Sequence, residues 1–573
     1  MDRGRILFVS AGEENVMKMR VGLYPILLVT LVVLAACSRA EMADKVLLNG
    51  KIWTVDPSRP WAQAVAVRDG KILAVGTTKE IRRMAGGRAE IIDLKNAFVL
   101  PGFIDSHVHF INGGFSMLSI QLREAATKEE FVRRVAEKAK NIPKGEWILN
   151  GDWDHERFDP VELPRREWID AVTPDNPVCV NRLDGHMILA NSLALKLGGV
   201  NKNTPVPAGG EIVKDPVSGE PTGILKDAAM DLVYGRIPEA SAEQILRAAE
   251  AALACAAEKG VTSVHDVSGE AGFDLYQDLL KKGKLTTRIY FYVPISSADL
   301  VERMKLRTGF GNDVLRFAGL KGFADGSLGS ATANFFEPYT DNSKTSGLLH
   351  AEMFPEGIMA KRVCAADRTG LQTAIHAIGD RANALILDIF AEAEAKNGPR
   401  DRRFRIEHAQ HIRPKDIARF AELKVIASVQ PYHAIDDGRW AERKIGPERA
   451  KSTYPFKSFL DAAVVMAFGS DWPVAPMDPL LGIYAAVTRR TLDEKNPEGW
   501  VPAQKIPLEE AIKGFTCNGA FAEFADASKG SIEPGKLADF VVLDRNLFEI
   551  PAADIRNARV LMTIVNGKVV MRR

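Results

Sequence analysis

The chain is poor in cysteine. Only five cysteines occur among 573 residues, and none of them forms a Cys-x-x-Cys pair, which argues against a zinc site built from thiolates. Cys179, Cys255, Cys364 and Cys517 are scattered along the chain. Their even number permits disulfides in an oxidising compartment, but their spacing follows no disulfide framework, so buried free thiols are the expected state.

An excess of charge of one sign is also missing. The 75 Lys and Arg residues nearly balance the 74 Asp and Glu residues, which leaves a net charge of +1 at pH 7. Nucleic-acid binding requires a net basic surface. No nucleic-acid partner is therefore expected, and a homodimer stays open as an alternative to a monomer.

The chain has one long apolar run, near its N-terminus. The basic stretch "MKMR" (residues 17–20) precedes "VGLYPILLVTLVVLAA" (residues 21–36). This run is short for a membrane span and has the length of a signal-peptide apolar region. It ends in "LAAC", which resembles a bacterial lipobox and implies cleavage before Cys37 and lipidation of its sulfur. An uncleaved anchor helix is the alternative.

The same segment predicts a location. Ser38 follows the cysteine where Asp would favour the inner membrane, so we expect a lipid-anchored protein of the bacterial cell envelope, on the outer membrane and facing the periplasm. Lipid chains are the only expected contact with the membrane. Residues 1–16 lack signal-peptide character, and Met17 or Met19 is the expected initiator.

Both ends of the remaining chain read as short strands with tight turns. Residues 45–98 contain Asn49-Gly50 between β-rich runs, and residues 528–573 repeat the pattern at Asn566-Gly567. Asn-Gly between such runs is a strong hairpin signal. The two segments together predict one small composite β-sandwich domain.

Residues 99–527 alternate between apolar β-type runs and helical patterns, which indicates an α/β protein with a parallel sheet. Eight such runs are the number that closes a (β/α)8 TIM-type barrel. The segment 147–235, rich in turns, does not fit and is predicted to be an insertion after the first strand. The eight runs are "FIDSHVHF", "GVTSVHDV", "RIYFYV", "RFAGLKGF", "LQTAIHAIG", "FRIEHAQ", "VIASVQPYH" and "VVMAFGSDWP".

Polar residues collect at the ends of these predicted strands, where barrels carry their functional groups. His107 and His109 are two residues apart and therefore face the same side of a strand. Further candidates end later strands: His265 the second, Lys321 the fourth, His376 the fifth, His408 the sixth and Asp471 the eighth. The remaining histidines outside the insertion's "RLDGHMILANS" motif, His155, His350, His411 and His433, are assigned to surface or loop positions.

Imidazoles and carboxylates are the ligands of zinc and related divalent ions. A catalytic ion keeps a position for water and lowers the pKa of that water from about 15.7 towards about 7, which supplies hydroxide at neutral pH. Asp471 would bind the ion and accept the water's proton. The pattern therefore predicts a metal-dependent hydrolase.

The motifs resemble the amidohydrolase superfamily, in its amidohydrolase family 3 branch of N-substituted formamide deformylase-like and exoenzyme-regulator-like proteins. The resemblance covers nearly the whole chain from about residue 45. It is carried by "PGFIDSHVH", "PVCVNRLDGHMILANSLAL", "GEPTGIL", "LKGFADGSLGSATA", "AIHAIGDRAN", "RIEHAQ", "GSDWPV" and "PGKLADFVVLD".

This resemblance implies which residue holds which ion. His107, His109 and Asp471 would take one divalent metal, expected to be zinc. His376 and His408 would take a second, and Lys321, carboxylated, would join the two. The alternative for Lys321 is a salt bridge to Asp325, which would leave a mononuclear site.

The resemblance also implies hydrolysis of carbon–nitrogen bonds other than peptide bonds in a small-molecule substrate of amide, N-acyl or formamide type. His186 and Arg182 are candidate substrate contacts, and the alternative is that they tie the loop backbone together through local hydrogen bonds. His265 is either a contact or a support for the ligands. Asp152 in "NGDWDHE" stands where the family often has glycine. The substrate contacts that this loop makes in the family are therefore not assigned to this chain. Ester or lactone hydrolysis, and a ligand-binding protein without catalysis, are the alternatives.

Overall fold

The computed structural model describes residues 42–269 and 272–573. The apolar N-terminal segment and Cys37 lie outside this range, and the expectations of cleavage and lipidation lie there with them. Within the described ranges, none of the helices combines the length and the apolar character that a membrane crossing requires. The four cysteines in these ranges are free thiols, and two of them, Cys179 and Cys364, are buried.

The centre of the molecule is a sheet of eight parallel strands that follow one another in sequence order. A parallel bridge between Val108 and Trp472 brings the last strand back to the first and nearly closes the sheet into a barrel. The predicted (β/α)8 barrel is confirmed. In order, barrel strands 1 to 8 are Phe103–Val108, Val261–Asp266, Arg288–Pro294, Leu315–Phe323, Gln372–Ala377, Arg405–His408, Ile426–Val429 and Met466–Phe468.

Helices surround the barrel and cover its apolar outer face. The first two pack so closely that a side chain on Gly114 would lie 1.9 Å from the Ala248 carbonyl oxygen. The helices of this layer are Phe110–Leu118, Ala242–Glu258, Phe273–Lys281, Ala298–Met304, Ile358–Arg368, Asp380–Asn397, Pro414–Glu422, Pro431–Asp437, Ala441–Ala450, Phe456–Asp461, Pro479–Thr488, Leu508–Gly514 and Cys517–Ala522.

A second sheet of five strands follows barrel strand 1 and covers the mouth of the barrel. Its strands stand in the spatial order Gly210–Lys214, Pro221–Asp227, Met187–Ala190, Val178–Arg182 and Ile148–Trp153. Short helices accompany it at Lys128–Lys140, Arg166–Ile169, Ser192–Gly198 and Asp231–Tyr234. We call this five-stranded sheet the inserted sheet.

The two ends of the described chain meet in two sheets that share a core containing Leu47, Val65, Val99, Phe540 and Ile564. One sheet has the order Lys71–Gly76, Ala64–Arg68, Ala43–Leu48 and Ala85–Asp93, with the helix Thr78–Arg82 beside it. The other has the order Lys568–Arg572, Val560–Val565, Phe540–Leu543, Phe98–Pro101, Lys51–Trp53 and Trp61–Ala62. Short 3-10 turns elsewhere are His155–Arg157, Asp170–Val172, Ile295–Ser297, Ala351–Met353, Pro502–Gln504 and Ala552–Asn557.

Candidate metal centre and active site

The ends of barrel strands 1 and 8 bring His107, His109 and Asp471 together. The backbone N–H of Asp471 donates to the His107 carbonyl over 2.7 Å, which fixes the carboxylate beside the His-x-His pair. Nε2 of His107 and Nε2 of His109 lie 3.4 and 3.5 Å from the same oxygen, Oδ1 of Asp471. Residues far apart in sequence therefore converge on one point.

His408 joins this group from barrel strand 6. Ligand atoms of His107, His408 and Asp471 all lie within 4.8 Å of one another, and all three residues are buried. Nδ1 of His408 lies 2.8 Å from Oε1 of Gln430. Because that amide oxygen can only accept, Nδ1 carries the proton and Nε2 keeps a free electron pair.

His376 lies beside His408, with ring centroids 4.5 Å apart. Its Nε2 donates to the carbonyl oxygen of Gly326 over 3.1 Å, so Nδ1 is the nitrogen left without a proton. Burial lowers the pKa of both His376 and His408 well below the ordinary value. Both rings are therefore neutral and able to bind a cation.

Lys321 reaches the same region from barrel strand 4. Its Nζ lies 3.5 Å from the centre of the Phe323 ring, and no ion pair joins it to a carboxylate in the part of the chain that the structure describes. Burial lowers the pKa of Lys321 to about 8. The alternative partner, Asp325, instead accepts backbone N–H groups of Asn334 and Gly379, so the Lys321–Asp325 salt bridge is absent.

A buried carboxylate supports His107 from behind. Nδ1 of His107 lies 2.5 Å from Oε2 of Glu407, and Arg405 donates to both oxygens of Glu407 over 2.8 and 3.1 Å. Burial alone would raise the pKa of Glu407, but the charges of Arg405 and His107 hold it well below its ordinary range. An ionised Glu407 is thus available to accept the Nδ1 proton and orient Nε2 towards Asp471.

These residues fit a divalent cation. Oδ1 of Asp471 is buried and has no hydrogen-bond partner, a state that costs free energy unless a cation or a donor compensates it. Burial would raise the pKa of Asp471, but the neighbouring His107 keeps it well below the ordinary value. The carboxylate is ionised, and Nε2 of His107 and the neutral imidazole of His408 stand beside it.

A cavity of about 430 Å³ lies over this cluster. His186 enters it from the inserted sheet, with its ring centroid 5.1 Å from that of His376. Its Nδ1 lies 2.7 Å from Oδ1 of Asp227. Burial lowers the pKa of His186, but hydrogen bonding and charge from Asp227 outweigh it and the net shift is upward. His186 is therefore placed to donate a hydrogen bond into the cavity.

Arg182 lines the cavity, and neighbouring side chains hold its guanidinium in place. It is only 2% exposed, and its guanidinium donates to His155, Asp184 and Asp154. These acceptors hold the guanidinium in the cavity wall, and a substrate contact through its remaining N–H groups stays a prediction.

His265 is placed differently from the expectation of a direct substrate contact. Its side chain is fully buried and lies outside the cavity lining. Its Nδ1 accepts from Arg405 over 2.8 Å, and Arg405 in turn holds Glu407. His265 therefore supports Arg405 and, through it, Glu407. This placement contradicts a direct substrate contact and agrees with the supporting role.

Histidines assigned to surface or loop positions turn out to be enclosed. His155 and His411 are 5% and 3% exposed. His350 and His433 line the cavity, and Nε2 of His433 lies 3.9 Å from Oδ2 of Asp471. Two of these positions carry a signal that sequence reasoning passed over: His411 and His433 follow barrel strands 6 and 7 by only a few residues.

Asp152, the departure from the family pattern, faces the cavity. It adopts φ of +52°, a conformation that favours glycine. Its carboxylate accepts from the Ser116 hydroxyl and, over 2.7 Å, from the Asn181 amide. The side chain thus joins the inserted sheet to the helix after barrel strand 1.

The chain matches a family model described as the amidohydrolase family over residues 90–571. It is 42% identical over 542 residues to Protein LONG AFTER FAR-RED 3 of Arabidopsis thaliana, covering 92% of this chain and 91% of that protein. It is 29% identical over 548 residues to N-substituted formamide deformylase of Arthrobacter pascens, covering 92% of this chain and 98% of that protein.

A solved structure supports the same relationship. The crystal structure of an uncharacterized metal-dependent hydrolase from Pyrococcus horikoshii OT3 matches this chain with a TM-score of 0.72 at 32% identity. The match covers 89% of this chain and 99% of that one.

Proposed function

This chain belongs to the amidohydrolase family of metal-dependent hydrolases, and we propose that it cleaves carbon–nitrogen bonds other than peptide bonds. The substrate class is an amide, an N-acyl amine or an N-substituted formamide. The observation that carries the proposal is the cluster of His107, His408 and Asp471, whose ligand atoms lie within 4.8 Å of one another and include the unpartnered Oδ1 of Asp471.

The residues that would hold the metal are those of the strand ends. His107, His109 and Asp471 would hold one ion, expected to be zinc, and His376 and His408 would hold a second. Lys321, carboxylated on Nζ, would serve as a ligand to both. A divalent cation at this position acts as a Lewis acid on a carbonyl group and makes water more acidic.

Two side chains would transfer the proton and bind the substrate carbonyl. Asp471, ionised and buried, accepts a proton from the attacking water and returns it to the departing nitrogen. His186, held by Asp227, donates a hydrogen bond to the substrate carbonyl oxygen from the opposite wall. The cavity of about 430 Å³ has the size of a small-molecule site. The similarity to N-substituted formamide deformylase supports the choice of a nitrogen leaving group.

The proposal is tested with purified protein reconstituted with zinc or manganese and offered a panel of formamides, amides, lactams, esters and lactones. Release of an amine from an amide or formamide is the expected result. Turnover of esters or lactones alone would replace the proposal with the esterase alternative. No turnover of any compound by metal-loaded protein would overturn it and favour a ligand-binding protein.

We further propose that the enzyme is attached to the bacterial outer membrane through lipid on Cys37, with the barrel in the periplasm. The lipobox-like "LAAC" after an apolar run supports this placement. A globomycin-type inhibitor of the lipoprotein signal peptidase should cause the precursor to accumulate in cells. Mature protein that forms without lipid under that inhibitor would contradict the attachment.

A further inference from the structure

The segment after barrel strand 4, residues 325–332 ("DGSLGSAT"), is tied to the inserted sheet through one carboxylate. The hydroxyl of Ser327 donates to Oδ2 of Asp184, and the hydroxyl of Ser330 donates to the same oxygen over 3.0 Å. Arg182 donates to that oxygen as well, over 2.6 Å. A single carboxylate oxygen therefore accepts hydrogen bonds from three donors in two separate parts of the chain. We call residues 325–332 the strand-4 loop.

The strand-4 loop also packs on the partner of that carboxylate. A side chain on Gly329 would place its Cβ 2.4 Å from Nη1 of Arg182, so the loop backbone lies directly on the guanidinium. Gly326 is similarly enclosed, with a would-be Cβ 2.0 Å from the Thr332 hydroxyl oxygen. The position of the loop is thus set by its contact with Arg182 and Asp184.

The other side of the strand-4 loop contacts His376. The carbonyl oxygen of Gly326 accepts a hydrogen bond from Nε2–H of His376 over 3.1 Å. This hydrogen bond decides which ring nitrogen keeps an electron pair, because a neutral imidazole carries only one N–H. The preceding residue, Asp325, accepts the backbone N–H groups of Ile378 and Gly379 just beyond barrel strand 5. A shift of the loop would release both the ring and the end of its strand.

We propose that Asp184 is a positioning residue for metal binding at His376. It holds the strand-4 loop so that the Gly326 carbonyl keeps the proton on Nε2 and leaves Nδ1 free. The inserted sheet is then required for the second metal ion as well as for enclosing the substrate. The inference rests on the proposed function in that His376 is taken as a ligand.

A purely structural role for Asp184 would be to neutralise the buried Arg182. Two variants separate the roles. The double variant Ser327→Ala, Ser330→Ala removes the hydroxyl contacts and leaves the Arg182–Asp184 ion pair in place. Asp184→Asn removes the charge itself. The matched control is Asp170→Asn, since Asp170 also accepts a serine hydroxyl within the same insertion, from Ser192 over 2.7 Å, and lies outside the cavity lining.

The experiment titrates full-length, chelator-stripped protein with Zn²⁺ and, separately, with Co²⁺ in bicarbonate-containing buffer. Bound metal is counted by elemental analysis after dialysis, and the Co²⁺ absorption bands report each equivalent. Removing a partner that orients a ligand typically weakens metal binding by about 10- to 100-fold. We expect a loss of this size for the second equivalent only, in both test variants, with an altered Co²⁺ spectrum for that equivalent. Wild type and Asp170→Asn should bind two equivalents alike.

The result that overturns the inference is a second equivalent that binds the double serine variant as tightly as wild type, with an unchanged Co²⁺ spectrum. The double serine variant decides the test by itself, even when Asp184→Asn fails to fold. Wild-type protein that takes up a single equivalent and still hydrolyses an amide would also overturn it while leaving the proposed function intact. Protein that takes up no divalent metal would contradict both the positioning role of Asp184 and the proposed function.

Discussion

Nδ1 of His107 and Oε2 of Glu407 are 2.5 Å apart, and the two residues are buried and 300 positions apart in sequence. Since the ionised carboxylate can only accept, Nδ1 carries a proton and Nε2 is the ring nitrogen that faces Asp471. Arg405 keeps Glu407 ionised through a bidentate ion pair. The proposed metal ligand His107 is therefore oriented by a carboxylate that is itself oriented by a guanidinium.

Glu407→Gln should weaken metal binding by about 10- to 100-fold, because the amide orients His107 less firmly and lowers its basicity. It should also destabilise the fold, since breaking a buried ion pair typically costs about 3–5 kcal/mol. Metal affinity by competition with a chelating dye, and the Tm of the metal-free protein, measure the two effects. The control is Asp367→Asn, which breaks a buried ion pair with Arg400 and Arg402 outside the cavity lining. Equal metal affinity in Glu407→Gln and Asp367→Asn would contradict the orienting role.

Asp471→Asn should slow hydrolysis by on the order of 10²- to 10⁴-fold, the usual contribution of a positioned proton acceptor. The amide is nearly isosteric but cannot take up the proton from water. Metal should remain on the imidazoles of His107 and His408, so elemental analysis of the purified variant should still find it. Loss of turnover with metal retained is the expected combination. A variant that keeps the wild-type rate would show that Asp471 does not carry the proton.

Much of this architecture could be predicted from the sequence, because barrel strands are buried on both faces and therefore read as continuous apolar runs. Each of the eight runs covers all or nearly all of one barrel strand. The strand-end rule also selected residues that the fold brings together, among them His107, His408 and Asp471. These positions can be predicted from the sequence because a barrel places the carboxyl ends of all its strands on one face.

The supporting contacts could not be predicted, because they depend on pairings that leave no local pattern. Glu407 immediately precedes His408, yet nothing near it in the sequence indicates that it contacts His107. Strict alternation would send neighbouring residues to opposite faces, but His408 has φ of +71°, which turns its side chain out of that alternation. The acceptors of the Arg182 guanidinium could not be predicted for a similar reason, since they only assemble in the folded cavity wall.

Lys321 should carry a carboxylate when metal is bound. Burial lowers its pKa to about 8, so at pH 8 about half of this amine is neutral, compared with well under 1% for a lysine of ordinary pKa near 10.4. The neutral nitrogen attacks the carbon of CO₂, forms a carbamate and releases one proton. Protein equilibrated with ¹³C-bicarbonate and zinc should show a carbamate resonance that grows between pH 7 and pH 9.

The resonance should disappear in Lys321→Met and persist in Lys529→Met, since Lys529 is buried outside the cavity lining and pairs with Glu523 over 2.5 Å. In bicarbonate-free buffer the second metal equivalent should bind more weakly. Equal binding of two equivalents with and without bicarbonate would argue that Lys321 acts unmodified.

His411 should make the fold sensitive to mild acid. It is buried, with Nδ1 2.8 Å from the Thr453 hydroxyl oxygen and Nε2 3.1 Å from the Gln410 amide nitrogen, and burial lowers its pKa to about 3. In the unfolded chain this histidine has the ordinary pKa of about 6.5. Between about pH 6.5 and pH 3 the unfolded state therefore binds one more proton than the folded state. Stability is therefore intact above about pH 6.5 and falls as the pH drops towards 3, by up to about 1.4 kcal/mol per pH unit from this group.

His411→Gln can keep a hydrogen bond to Thr453 but cannot titrate. The Tm of metal-free wild type and variant, measured from pH 8 down to pH 5, should therefore differ by a constant amount above pH 7. Below pH 6.5 the wild-type Tm should fall more steeply than that of the variant. Metal-free protein is used because proton competition at the metal ligands would otherwise add its own pH dependence. Parallel Tm curves over the whole range would mean that His411 does not stay neutral in the folded state.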